Sequence, residues 1–245
     1  MGSLTMPGVF VAKRTSMFLI ALAASAGVHA LEPAPALAGC GGAAGVNVDW
    51  TGCRKRALIV SGTNFEGAKL VSTDFTGSDL RNTVFKDANL TKATLTRSSI
   101  SGAQFKNARL SGVEGIRLSA KNAEFQSVTM DKTMFFRADF RGAQMNEVNF
   151  SKAEFSRANF SGARIEETTL EFSNLSRVKF NNAELISVNL TGAWTYLTDF
   201  RGVDLRETTG LTQAQLQLSC GDADTLLPPG LRTPVNWPCA FEDDS

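Results

Sequence analysis

Every fifth residue from Phe65 to Leu205 is Phe, Leu, Ile or Met, with three exceptions among 29 positions: Gly115, Ala120 and Thr195. A second column lies two residues before the first, from Thr63 and Ala68 to Val203. It holds only Ala, Val, Ser or Thr, except at Leu118. An amphipathic helix repeats its apolar face every 3.6 residues and a half-buried strand every second residue. A period of five fits neither, and a fixed repeat points to stacked structural units. One large and one small inward residue per unit suit a square coil, in which four units of five make 20 residues with a turn at each corner. Coils stacked at about 4.8 Å pair their backbones as strands in a sheet do. Gly or Asn often ends the unit, as at Gly67, Gly77, Asn82, Gly102, Gly142, Gly162 and Asn182. Both tolerate the positive φ of tight turns. The expected fold is an all-β solenoid over residues 55–210, about seven coils long.

The units Ser78-Asp79-Leu80-Arg81-Asn82, Ala88-Asn89-Leu90-Thr91-Lys92, Ala138-Asp139-Phe140-Arg141-Gly142 and Ala158-Asn159-Phe160-Ser161-Gly162 resemble the pentapeptide-repeat family, across about 145 residues without a phase slip. The resemblance implies a right-handed quadrilateral parallel β-helix. Two stretches depart from the pattern. Residues 111–121 place Gly115 and Ala120 at unit centres, with Ile116 and Leu118 off phase, which predicts a bulge or a distorted corner. Trp194-Thr195-Tyr196-Leu197 is the other.

A solenoid must cover its open ends. Residues 31–54, with Trp50, read as linker and N-terminal cap. Thr212-Gln213-Ala214-Gln215 reads as a capping box opening a short helix to about Ser219, within a C-terminal cap and tail of residues 211–245. Residues 1–30 carry Lys13 and Arg14, an apolar run from Met17 and Val28-His29-Ala30, which together describe a secretory signal peptide. The apolar run is too short for a membrane span, and no later segment is longer. Four cysteines in an exported chain favour disulfides, and their spacing favours the local pairs Cys40–Cys53 and Cys220–Cys239 among three connectivities. Each bridge is worth on the order of 3 kcal/mol. Leu37-Ala38-Gly39-Cys40 also matches a lipobox, so a lipid anchor through Cys40 is the alternative; it would strand Cys53. The expected location is export to a bacterial periplasm.

Composition narrows the chemistry. Lys and Arg total 25 and Asp and Glu 24, which argues against a generic nucleic-acid binder. The one histidine, His29, falls within the signal segment, leaving no imidazole base or zinc ligand beyond it. No cofactor, metal or catalytic set is expected, so the chain reads as a non-enzyme. The wall centred on Phe65, Phe85, Phe105 and Phe125 carries nine acids against four bases. Glu147 and Glu167 there fall one coil apart, a pairing that in a polysaccharide-acting enzyme would serve as acid and base. Counting by 20 aligns Arg97, Arg117, Arg137, Arg157 and Arg177, with Lys92, Lys132 and Lys152 one corner earlier. Guanidinium forks suit carboxylate and phosphate, so this column is a candidate strip for an anionic polymer or an acidic partner. Asp139 and Glu154 are its nearest candidate counter-charges. Ile116, Met134, Phe136, Phe172, Trp194, Tyr196 and Leu197 fall outside the core columns and form a candidate apolar interface.

The expected function is a non-catalytic exported structural or interaction module, with a protein partner or a second copy, and no sequence-specific nucleic acid. The resemblance also implies an alternative, because some family members mimic DNA and protect gyrase. The near-neutral solenoid and the export signal both depart from that group.

Overall fold

The computed structural model describes residues 39–239. Residues 1–30, expected as a signal peptide, residues 31–38 of the expected linker and the last six residues lie outside the described part. What is described is a parallel β-solenoid. Its pairing runs Asp49, Lys69, Asn89, Arg109, Thr129, Asn149, Thr169, Asn189, Thr209, so the 20-residue coil holds through eight consecutive steps. One wall forms a five-stranded parallel sheet of β1 (Gln104–Lys106), β2 (Glu124–Gln126), β3 (Gln144–Asn146), β4 (Arg164–Glu166) and β5 (Glu184–Ile186), in sequential order. The other walls pair through single bridges at the same interval. The walls centred on Phe65, Leu70, Phe75 and Leu80 are called first to fourth below.

The unit Ala138–Gly142 shows why five residues suffice. The Asp139 N–H donates to Leu118 O on one neighbouring coil and the Phe140 N–H to Asn159 O on the other, at 2.9 and 2.7 Å. The Arg141 N–H, which the turn would leave unpaired, donates to the Asp139 carboxylate at 3.2 Å. The Gly142 N–H returns to the next coil at Ser161 O, and the Ala143 N–H closes the turn on Phe140 O at 3.0 Å. Every backbone donor of the unit is thereby satisfied, as buried amides require. The corner residue sits third in a β-turn that demands positive φ, and Gly142 has φ 67°. An Asn or Asp before the core residue caps the turn again at Asn89, Asn159 and Asn174.

The core is the two predicted columns. Rings one coil apart stack, as in Phe85–Phe105 and Phe140–Phe160, both with centroids at 4.8 Å. Full burial of each Phe contributes about 2–3 kcal/mol. The expected bulge at residues 111–121 is absent: Glu114 pairs with Thr94 and Met134, and Ser119 with Ser99 and Asp139, in unbroken register. The reason is packing. A Cβ added at Gly115 would lie 2.6 Å from the Phe135 ring and 3.2 Å from Leu118, so these two side chains already fill the vacated space. Trp194 likewise keeps register with Asn174.

Both ends are closed. Trp50 is fully buried, T-stacked on Phe65 at 5.5 Å, and donates its indole N–H to Gly42 O. Lys55 lies 3.8 Å over the Trp50 ring and donates to Cys40 O, beside the Cys40–Cys53 disulfide. At the other end α1 (Gln213–Leu218) opens with the predicted capping box, the Thr212 hydroxyl accepting from the Gln215 N–H. Leu216 of α1 enters the core, and the Gln215 amide donates to Leu190 O and Ala193 O. Trp237 packs against Gly221 and donates to Ser219 O, next to the Cys220–Cys239 disulfide. Among the described residues no helix is long and apolar enough to cross a membrane.

Candidate interaction surfaces

Because every coil has 20 residues, each corner becomes an edge running along the rod, and the four edges differ in chemistry. Between the first and second walls lie Asp87, Glu147 and Glu167; between the second and third, Lys92, Lys132 and Lys152. Arg97, Arg117, Arg137, Arg157 and Arg177 stand between the third and fourth walls. Asn82, Gly102, Asn122, Gly142, Gly162, Asn182 and Gly202 stand between the fourth and first. The acidic and arginine edges are thus diagonally opposite, and the third wall is bordered by cations on both sides. All five arginines are exposed and hold φ between 55° and 62°, so the column expected from the sequence is one physical line.

The expected counter-charges are arranged differently. Asp139 does not serve Arg137: its carboxylate accepts from the Arg141 Nε and Nη2 at 2.9 and 2.8 Å, with Lys121 at 3.5 Å. Arg141 follows Asp139 by two positions, so the pair projects from the same wall and closes a bidentate fork. Burial pushes this carboxyl up, but the Arg141 hydrogen bonds outweigh it and hold it below the usual range. The same Asp-x-Arg fork recurs at Asp79–Arg81, where the Arg81 side chain lowers the carboxyl to about 2, and at Asp199–Arg201. Glu154 accepts from the Ser156 hydroxyl and from Asn174. Among the described residues Arg97, Arg117 and Arg137 form no ion pair; Arg137 lies over the Phe136 ring at 5.3 Å.

The first wall is less bare than its nine acids suggest. Lys86 meets Glu66 at 2.6 Å, Arg206 meets Asp204 at 2.6 Å, and Arg164 bridges Glu166 and Glu184. Glu147 and Glu167 occupy successive corners, the Glu147 N–H donating to Glu166 O, and Glu147 accepts from the Ser127 hydroxyl. A shallow groove runs past them, lined by Asn149, Thr169, Ser187 and Asn189. Among the described residues no set of three or more His, Cys, Asp or Glu side chains is arranged to hold a metal ion.

The apolar candidates divide into two groups. Ile116, Met134 and half-buried Phe136 share adjacent coils of the third wall, while Trp194 and Tyr196 lie on its last coil with Leu197 at the corner. Glu154, Ser156, Asn174 and Ser176 separate them. Phe172 belongs to the second group through its ring, which lies across Gly192 one coil on. That seat was hidden in the sequence, although a Gly 20 residues after a large corner residue is its signature.

Family models agree with this architecture. A model described as pentapeptide repeats (8 copies) matches residues 61–97 and 79–113, and one described as the pentapeptide repeat region matches 133–209. The chain belongs to the pentapeptide-repeat family. Among solved structures it is similar to HetL, a pentapeptide repeat protein involved in heterocyst differentiation regulation from the cyanobacterium Nostoc sp. strain PCC 7120. The two share 18% identity over 75% of this chain and 86% of that one, with a TM-score of 0.38. Full-length QnrB1, a plasmid-mediated fluoroquinolone resistance protein, shares 19% over 74% and 91%, with a TM-score of 0.34. A pentapeptide repeat protein of the Arabidopsis thaliana thylakoid lumen shares 19% over 57% and 68%, with a TM-score of 0.32. A comparison with curated proteins finds no match.

Proposed function

We propose that this chain is an exported, non-catalytic interaction module, a rigid rod that docks a protein partner or a second copy of itself. The observation that carries this reading is the aromatic group on its last coils: Phe172 is 60% exposed, Trp194 53% and Tyr196 44%. Exposed large aromatics on a firm backbone are the side chains from which interface anchors are made, and clustered apolar exposure marks interaction surfaces. Hydrogen bonds between coils pre-order the wall, so little conformational entropy is lost on docking. Two disulfides support an oxidising compartment, as does the basic, apolar, small-residue order of residues 1–30. Periplasmic crosslinking, with sedimentation of the purified chain, tests the reading. The expected result is one crosslinked partner or a dimer, weakened at least about tenfold by Trp194→Ser with Tyr196→Ser. A chain that stays monomeric and uncrosslinked, or a double variant that retains the same adduct, overturns it.

A further inference from the structure

We infer that the third wall, between its lysine and arginine edges, is a binding track for a linear anionic polysaccharide. The inference rests on the interaction-module reading and names a ligand class for a surface that reading leaves open. Lys92, Lys132 and Lys152 border the wall on one side and Arg97, Arg117, Arg137, Arg157 and Arg177 on the other. The wall is one unit wide, roughly 10 Å at the rise of an extended chain. An extended polymer lying along it would keep both rows within reach of its charges. Successive coils offer cations at a spacing of about 4.8 Å, so the positive potential runs parallel to the rod and adds up along a chain of evenly spaced anions.

The carboxylates nearby offset only part of this field, five of them against the eight cations of the two edges. On the wall itself, from the Thr94 coil to the Asn174 coil, they are Glu114 and Glu154, and Glu154 already accepts from Ser156 and Asn174. Beside the lysine edge, Asp131 lies 3.8 Å from Lys132 and accepts from Ser111, while Glu171 accepts from Asn189. Beside the arginine edge, Asp139 is held by Arg141.

The surface between the edges favours sugars over other polyanions. It offers hydroxyls and amides at Thr94, Thr96, Ser156, Asn174 and Ser176. Single-stranded nucleic acid needs open aromatic faces for successive bases. Here Phe136 is half-buried beneath the Arg137 guanidinium. The next aromatic along the wall, Tyr196, lies three coils on, roughly 14 Å away.

The test is binding of the disulfide-intact chain to heparin, polyphosphate, a single-stranded oligonucleotide and neutral dextran, at matched charge and several salt concentrations. Heparin should be bound most tightly, with affinity falling as salt rises, and dextran should not be bound. Arg137→Glu with Arg157→Glu should weaken heparin binding at least about tenfold, since each reversal turns an attraction into a repulsion. Glutamate suits this corner, because Glu147 and Glu167 already hold positive φ. Lys132→Glu with Lys152→Glu, on the other edge, should weaken binding comparably and guards against a folding defect in the first pair. Equal heparin affinity in either double variant and the parent overturns the track, and polyphosphate or oligonucleotide bound as tightly as heparin overturns the sugar assignment. A crosslinked protein partner without heparin binding removes this inference alone and leaves the interaction-module reading standing.

Discussion

The arginine edge and the asparagine–glycine edge are built from the same turn, one wall apart, and solve it in opposite ways. On the latter, Asn82 lays its amide across Gly102, Asn122 across Gly142 and Asn182 across Gly202. The two residue types that tolerate left-handed backbone share that edge, and each of these three Asn side chains lies in the space the next glycine leaves empty. On the arginine edge five residues with full side chains adopt the same conformation, at a cost of about 1–2 kcal/mol each. Like charges one coil apart add repulsion of about 1 kcal/mol per neighbour even in water. Nothing in the turn asks for arginine. The comparison separates residues that build the corner from residues that the corner merely carries.

Exchanging the two solutions should break the comparison most visibly. Gly142→Arg puts a Cβ where the Asn122 side chain lies and forces a side chain into positive φ. Stability should fall by about 1–2 kcal/mol, read as a lower denaturant midpoint at unchanged slope. The reverse change should act the other way and more weakly. Arg117→Gly and Arg137→Gly each relieve left-handed strain but enlarge the unfolded ensemble, for a net gain of about 0.5–1 kcal/mol apiece. A loss of stability in either arginine variant would mean that the edge contributes to the fold, and the contrast would fail.

Most of the architecture was legible in the sequence because the period is rigid: the columns, the 20-residue coil, the corner residues, the disulfide pairs and the Thr212 capping box all follow from spacing. The bulge or distorted corner expected around Gly115 is absent because a missing core side chain does not interrupt the wall. The Phe135 ring and Leu118 fill that space from two directions, which a one-dimensional count does not reveal. Asp139 lies two residues from both Arg137 and Arg141, yet alternation along the wall points Asp139 and Arg141 the same way, whereas Arg137 sits in the corner turn. The arginine column could be counted in advance. The lysine row as the other border of the same wall emerges only when corners become edges.

The smallest expected effect concerns the wall between the two compared edges. Arg81, Arg141 and Arg201 there each have a built-in carboxylate two positions earlier, unlike Arg97, Arg117 and Arg137 at the corner. Asp79 is the clearest probe: hydrogen bonds from the Arg81 side chain and N–H lower its carboxyl to about 2 in the folded chain, against about 3.9 in the unfolded one. Its stabilisation is therefore complete above about pH 5, where both states are ionised. As pH falls toward 2 the unfolded chain takes up the proton first, and the contribution disappears as the folded carboxyl is protonated. The pair is open to solvent, with the Arg81 side chain 57% exposed, so screening holds its worth to about 0.2–1 kcal/mol. Arg81→Ala should return the Asp79 carboxyl toward its ordinary value in an NMR titration and flatten stability between pH 5 and 2 by that amount. Arg137→Ala should leave the Asp139 titration in place, because Arg141 holds that carboxylate. An Asp139 titration that moves with Arg137 instead would show that the corner arginines share counter-charges with the wall, and the two edges would differ less than their geometry implies.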